Sequence, residues 1–241
     1  MSQLQRLTIS PDQIAAQQIL LNAPQRHYLY NVLRLGQGDR FIAIDGQGNG
    51  WLASLDAQSA TLLKPVIAKT ELPISVTLLI ALPKNGMDDI VRQATELGVE
   101  RIQPIISDRT ILKPSAQKGD RWQRIAQEAA EQCERQVVPP VLPPLSWSAA
   151  LQTGSAAAYL CEARGNHPHL LSQLQSAPLP PSIAIAIGTE GGWTEREIAA
   201  AIAAGYQAVS LGDRILRAVT APLVALSLIA AACDGSDSGH V

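Results

Sequence analysis

The pattern of apolar and polar positions changes character near Pro73. Before it, apolar residues come in short runs without helical period. Residues 4–9 alternate as a half-buried strand does. Residues 24–32 predict a short helix. Phe41-Ile42-Ala43-Ile44 and residues 51–55 flank Asp45-Gly46-Gln47-Gly48, which predicts a hairpin. Residues 60–68 add another strand. Several short strands with polar turns predict a small β-barrel over residues 1–73. The polar stretch Lys69-Thr70-Glu71-Leu72-Pro73 reads as the linker.

Beyond the linker the pattern alternates between buried strands and amphipathic helices. A strand over 75–82 breaks at Pro83-Lys84-Asn85-Gly86. A helix over 88–97 places Ile90, Val91, Ala94 and Leu97 on one face. Gly98 ends it, and 102–106 is the next strand. A helix over 120–136 carries Trp122, Ile125, Ala126, Ala129 and Cys133 on its apolar face. Arg121, Arg124, Glu128, Gln132 and Arg135 form its polar face. A Pro-rich loop (139–144), a strand (156–161) and a polar loop (162–168) follow. This alternation predicts an α/β domain with a mostly parallel sheet over residues 74–241. Residues 234–241 read as a frayed polar tail.

The stretch from 182 to 221 carries the chemistry. A buried strand over 182–187 breaks at Gly188-Thr189-Glu190-Gly191-Gly192. Thr194 with Glu197 three residues on is a capping box, in which each side chain satisfies an orphan N–H of a new helix. A second apolar run, 208–211, breaks at Gly212 and leads into Arg214-Ile215-Leu216-Arg217. Open α/β sheets bind ligands at such carboxyl ends of strands. Glycines there let a ligand approach the backbone.

Charge and composition narrow the chemistry. The formal net charge is −2, from 19 basic and 21 acidic residues. That is not the basic excess of a typical nucleic-acid binder. An RNA substrate therefore requires the basic residues to cluster in space or across a dimer. Cys133, Cys161 and Cys233 lie far apart, as free thiols of a reducing compartment do. No run of eighteen apolar residues predicts a membrane helix, and the N-terminus lacks the pattern of a signal peptide. The expected location is the cytoplasm. His167 and His169 flank Pro168 without a third spaced ligand, so no metal is expected. There is no P-loop, no Gly-x-Gly-x-x-Gly and no Ser/His/Asp arrangement. A glycine-lined, mostly apolar cleft suits a bent cofactor whose adenine is held by backbone atoms. S-adenosylmethionine fits, because its reactive methyl asks the protein chiefly for proximity and orientation.

Five blocks carry a family resemblance. They are the Gly-Thr-Glu-Gly-Gly break, Leu211-Gly212-Asp213-Arg214-Ile215-Leu216-Arg217 with Thr220-Ala221, the stretch from His27 through Val32-Leu33-Arg34 to Gly38-Asp39, Lys84 with Thr95-Glu96-Leu97-Gly98-Val99, and Glu128-Ala129 with Gln132 and Arg135. Together they resemble the 16S ribosomal RNA uridine-N3 methyltransferases of the SPOUT superfamily. The resemblance implies a trefoil-knotted methyltransferase domain, preceded by a PUA-like barrel that grips RNA, in a homodimer. It implies a cofactor pocket built from Gly188, Thr189, Glu190, Gly191, Gly192, Leu211, Gly212, Ile215, Leu216 and Thr220. Arg26, Tyr28, Arg34, Lys84, Arg109, Gln132 and Arg135 become candidates for 16S RNA. Arg40 joins them as a phosphate contact. Tyr28 and Tyr30 either stack on a base or pack in the core. Arg217 is the candidate catalytic group, or else a structural arginine. Two positions depart from the family's usual pattern: Thr189 replaces Pro, and Val219 replaces Glu. The competing readings are a SPOUT enzyme for a ribose 2′-hydroxyl or another base, and a non-catalytic assembly factor.

Overall fold

The computed structural model describes residues 4–111 and 115–236. Residues up to Glu71, together with Gln127–Val138, form one unit. Leu72–Ala126 and the chain from Pro139 onward form the other.

In the first unit six strands make one curled sheet: β1 (Arg6–Thr8), β2 (Ile14–Ala15), β3 (Gln18–Leu20), β4 (Arg40–Ile44), β5 (Gly50–Leu55) and β6 (Ser59–Val66), in the order β1-β4-β5-β6-β3-β2. Only the β1–β4 pair is parallel. Alternate strand residues turn inward, as a period of two dictates. Leu7, Ile19, Phe41, Ala43, Ala53, Leu55 and Ala60 meet with Leu29 in one core. This is the small barrel that the short alternating runs predict. The β4–β5 hairpin stands where the Asp-Gly-Gln-Gly turn places it. There the Asp45 carboxylate accepts from the N–H groups of Gln47 (2.8 Å) and Asn49 (3.0 Å). The predicted helix over 24–32 is real but loosens. α1 (Ala23–Arg26) is capped by Asn22 and Gln25 and passes into a wider π turn, His27–Val32. Arg34, at φ 57°, then ends it.

The second sheet is fully parallel, in the order β12-β10-β11-β7-β8-β9. Its strands are β7 (Ser75–Ala81), β8 (Arg101–Ile106), β9 (Leu145–Ser146), β10 (Ala157–Cys161), β11 (Ser182–Ile187) and β12 (Gln207–Val209). The helices are α2 (Met87–Glu96), α3 (Ala116–Gln132), α4 (Trp147–Ala150), α5 (Leu170–Gln175), α6 (Glu195–Ala203) and α7 (Ala221–Ser236). The residues of α3 from Gln127 onward count with the first unit. Near-continuous apolar runs such as Leu78-Leu79-Ile80 are buried on both faces, as a parallel sheet requires. On one face Leu79, Ala81, Leu160, Ala184 and Ala186 meet Trp147, Trp193 and Tyr206. α7 lies against α2, α5 and β11. Its register buries Ala225, Leu226, Ile229 and Cys233. α7 includes residues 234–236, so the predicted tail begins later; residues 237–241 lie outside the described residues.

The helix predicted over 120–136 stops at Gln132 instead. Glu134 takes φ 69°, which an α-helix cannot continue. The chain turns there, and Arg135 is no longer on the helix's polar face.

Candidate functional site

Strand order positions the site. After β11 the chain passes over to β12, which pairs with β10 on the side away from β11. The carboxyl ends of β10, β11 and β12 therefore lie side by side, and the loops that leave them converge. The N–H of Glu162 donates to the Val209 carbonyl (3.0 Å), and that of Ser210 to the Pro168 carbonyl (2.9 Å). Between these loops lies a cavity of about 150 Å³. This is the crevice that open α/β sheets use for ligands.

The structure brings the predicted cofactor residues into its wall. Gly188, Thr189, Glu190, Gly191 and Gly192 from one loop face Leu211, Gly212, Ile215 and Leu216 from the other. Thr220 is not among the lining residues; it immediately precedes α7, and its carbonyl accepts from Val224 N–H (3.1 Å). The first loop closes as a turn, with Gly192 N–H on the Thr189 carbonyl at 2.9 Å. Gly192 adopts φ 71° and Gly212 φ 110°, a region that favours glycine. At Gly188 a Cβ would stand 3.2 Å from Trp193 Nε1 and 3.3 Å from the Gly192 backbone, so no side chain fits without displacement.

Each flank of the first loop is tied down. Arg109 donates to the Gly191 carbonyl. The Lys84 N–H donates to Glu190 Oε1 at 3.0 Å. The predicted capping box is present: Glu197 accepts from Thr194 N–H at 2.8 Å. Glu197 does more than the sequence motif states, since its other oxygen accepts from Asp108 N–H at 2.8 Å. It is 3% exposed. Trp193 stacks on Trp147 with ring centroids 4.5 Å apart, and its Nε1–H donates to the Cys161 carbonyl (3.3 Å). Burial pushes the Cys161 thiol, also in the wall, above its ordinary range. That keeps it a neutral, unreactive thiol.

The two departures have visible surroundings. Thr189 is buried, and its Oγ1 has no hydrogen-bond partner among the described residues. Val219 abuts Gly86, where an added Cβ would overlap Val219 Cγ1. The position thus fills an apolar contact with the loop before α2.

The cavity fits S-adenosylmethionine on its own terms. Small backbone-rich turns can approach an adenine, and Ile187, Ala163, Leu216 and Ala218 supply apolar surface. Glu162, Arg164 and Arg214 also line it. Sequence reasoning passed over these three and Trp193. Arg214 lay inside the recognised motif and was the findable one. Arg217 is exposed, outside the lining, and without a side-chain hydrogen bond or ion pair among the described residues. Its carbonyl caps the start of α7 by accepting from Thr220 and Ala221. No group of three potential metal ligands occurs among the described residues, and no helix there is long and apolar enough to cross a membrane.

The RNA candidates divide between the two units. Arg109 and Lys84 belong to the second unit, the former against Gly191. Arg26, Tyr28 and Arg34 belong to the first. Arg26 donates to the Leu21 carbonyl (2.8 Å), and Arg34 is exposed. Tyr28 packs partly on the barrel core. Burial, then the charges of Glu131 and Glu128, raise its pKa, so it stays a neutral phenol. Gln132 is exposed at the end of α3. Arg135 requires correction: it is 2% exposed, and its guanidinium donates twice to Glu71 Oε2 (2.9 and 2.7 Å). Its charge is spent inside the first unit because the helix ends before it.

Comparison with known proteins agrees with this geometry. The RNA methyltransferase domain family matches residues 70–230, and the RNA methyltransferase PUA domain family matches residues 21–62. The chain is 49% identical over 231 residues to ribosomal RNA small subunit methyltransferase E of Synechocystis sp., covering 93% of this chain and 76% of that one. It is 33% identical to the Bacillus subtilis protein of the same name, over 84% and 86% of the two chains. Among solved structures, ribosomal RNA small subunit methyltransferase E from Neisseria gonorrhoeae, bound to S-adenosyl methionine, superposes with a TM-score of 0.84 at 32% identity, covering 94% of this chain and 97% of that one. A putative methyltransferase from Legionella pneumophila with bound cofactor gives 0.84 at 25% identity, over 95% and 98%. With two glycine-built strand ends forming one cavity, a barrel of the expected kind and relatives of this closeness, the chain belongs to the ribosomal RNA small subunit methyltransferase E family.

Proposed function

We propose that this protein transfers a methyl group from S-adenosylmethionine to N3 of a uridine in 16S ribosomal RNA, acting in the cytoplasm as a homodimer on small ribosomal subunits. The carrying observation is the convergence of residues 188–192 and 211–216 on one cavity, in a chain whose relatives are named ribosomal RNA small subunit methyltransferase E. Residues 74–241 hold the chemistry, and residues 1–73 grip RNA through Arg26, Arg34 and Tyr28. The strand order β12-β10-β11, with α7 packed back against α5 and β11, supports a trefoil knot.

The bound cofactor supplies an electrophilic methyl group on a sulfonium. The protein's task is then orientation and charge control. Gly188, Gly191, Gly192 and Gly212 give close backbone approach, and Thr189, Glu190, Leu211, Ile215 and Leu216 complete the wall. N3 of uracil lies on the Watson–Crick edge, so the base must be unpaired or turned out of its stack, at a cost of a few kcal/mol. The N3 proton passes to solvent water, and negative charge spreads onto the ring oxygens. Arg217, uncommitted and exposed, stabilises that charge.

The test is mass mapping of RNA after incubation of purified protein with labelled cofactor and small subunits. The expected product is N3-methyluridine. A methyl on a ribose oxygen or on carbon 5 would overturn the assignment, and no transfer at all would favour an assembly factor. Sedimentation at twice the chain mass is the expected result for the dimer.

A further inference from the structure

A second cavity, of about 470 Å³, lies between the loop 83–86, the start of α2 and residues of α3. It sits within the size range of ligand sites. The same loop touches the wall of the cofactor cavity through Lys84 N–H on Glu190, and its Gly86 abuts Val219, next to the lining residue Ala218. The two cavities are thus neighbours.

Its charge is unusual for a chain of net −2. Four cations, Lys84, Arg92, Lys118 and Arg121, face two carboxylates, Asp88 and Asp89, a surplus of two. Both carboxylates are spoken for. Arg121 donates twice to Asp88 (2.9 and 2.6 Å), and Arg92 donates to Asp89 (2.8 Å). Lys84 and Lys118 remain, and neither ammonium has a hydrogen-bond or ion-pair partner among the described residues. In the apolar lining Trp122 and Met87 are 3% and 5% exposed, and Pro83 is buried as well. They form a floor and offer no face for a base to stack on. A site with two free ammonium groups, neutralised carboxylates and no stacking surface selects an anion rather than a nucleobase. Phosphate diesters are the anions that RNA presents on either side of a base, and contacts to them position the chain.

We infer that this cavity is a subsite for backbone phosphate flanking the target uridine, held by Lys84 and Lys118. The inference rests on the reading of the protein as an RNA methyltransferase. It supplies the local positive charge that the composition lacks.

The experiment measures binding to assembled small subunits at several salt concentrations. Each phosphate contact on unpaired RNA contributes about 0.7 to the slope of log K against log salt. The Lys84→Ala/Lys118→Ala double variant is expected to bind at least ~10-fold more weakly near 0.1 M salt, with a slope shallower by about 1.4. Each single variant should show about half that change in slope. The Lys84→Arg/Lys118→Arg variant should keep the wild-type slope. Calorimetric affinity for S-adenosylmethionine should be unchanged in all, which also shows that the variants are folded. An unchanged slope in the double alanine variant would overturn the subsite, and so would a fall in affinity without a change in slope, as a protein contact would give. Loss of cofactor affinity would overturn it too, since the lysines would then serve the other cavity. Failure of the enzymatic reading shows separately, as wild-type protein that leaves uridine N3 unmethylated.

Discussion

Two of the loops that wall the cofactor cavity are built in opposite ways. Residues 188–192 are fixed from every side. Arg109 and the Lys84 N–H hold the loop itself, Trp193 anchors its end in the core, and Glu197 ties the following helix to Asp108. Residues 211–217 have few such ties. The N–H of Gly212 finds Ser210 Oγ (3.0 Å), and the Arg217 carbonyl caps α7. The side chains of Asp213, Arg214 and Arg217 are exposed, without hydrogen bonds or ion pairs among the described residues, and Ile215 is 72% exposed. One loop is organised before anything binds. The other keeps charge and apolar surface for what arrives. A methyl transfer needs both, a rigid rest for the donor and uncommitted charge for the acceptor.

The sharpest way to separate the loops is to remove the most useful charge from the open one. Arg217→Ala should lower turnover by ~10²–10³, the usual cost of one lost contact to a developing oxyanion. Affinity for S-adenosylmethionine, read by calorimetry, should hardly move, because Arg217 is outside the cavity lining. Arg214→Ala should do the reverse and weaken cofactor binding more than turnover at saturation. If Arg217→Ala acted mainly on cofactor affinity, the division of labour between the loops would be lost.

Breaking the closed loop should cost stability instead. Glu197→Ala removes a buried carboxylate and leaves the N–H groups of Thr194 and Asp108 without their acceptor. Hydrogen bonds to a charged group contribute about 1.5–3 kcal/mol each, so a loss of about 3 kcal/mol is expected in urea unfolding. Glu197→Gln, which can still accept, should lose less. A loss under about 1 kcal/mol, within the range of an ordinary cap, would show that the tie to Asp108 contributes nothing.

How much of this was legible depends on distance along the chain. The Thr194–Glu197 cap, the glycine breaks and the β4–β5 hairpin are local, and the sequence shows them. The second bond of Glu197 reaches Asp108, 89 residues away, and no local pattern encodes it. Arg135 misled for the same reason. Helical periodicity runs on past Gln132, and the left-handed turn at Glu134 and the Glu71 partner appear only in three dimensions. The β2–β3 hairpin escaped notice because Ala16 and Gln17, not Gly or Asn, take its positive φ. Arg214 and Arg217 share one motif, and only the fold shows which of them lines the cavity.

Within the closed loop, neighbouring glycines should respond differently. Gly192 has φ 71°, so Gly192→Ala forces an alanine into the left-handed region, at about 1–2 kcal/mol. Gly191 is not left-handed. A Cβ there would stand 3.1 Å from Arg109 Cδ, a flexible side chain that can shift. Gly191→Ala should therefore weaken cofactor binding less than Gly192→Ala does, with both proteins folded by circular dichroism. The opposite order would mean that contact with the cofactor, not backbone conformation, sets the choice of glycine.

The smallest effect concerns the outermost tie. Asp108 Oδ1 accepts from Arg196 (2.8 Å), and its Oδ2 from the Thr194 hydroxyl (2.9 Å). The Arg196 hydrogen bond, then that of Thr194, hold its carboxyl below the usual range, with the charges of Arg196 and Arg109 adding to them. A carboxylate whose folded pKa lies below its unfolded value of about 3.9 stabilises the fold fully above that value. The contribution disappears as pH falls through the folded pKa. Water screens so exposed a group, so the magnitude is small. Asp108→Asn should lower Tm slightly and by a constant amount from neutral pH down to about 5. The gap should then close as the wild type is protonated. A gap that persisted unchanged into acid would show that Asp108 acts through the shape of its turn, and the charge on this side of the closed loop would be incidental.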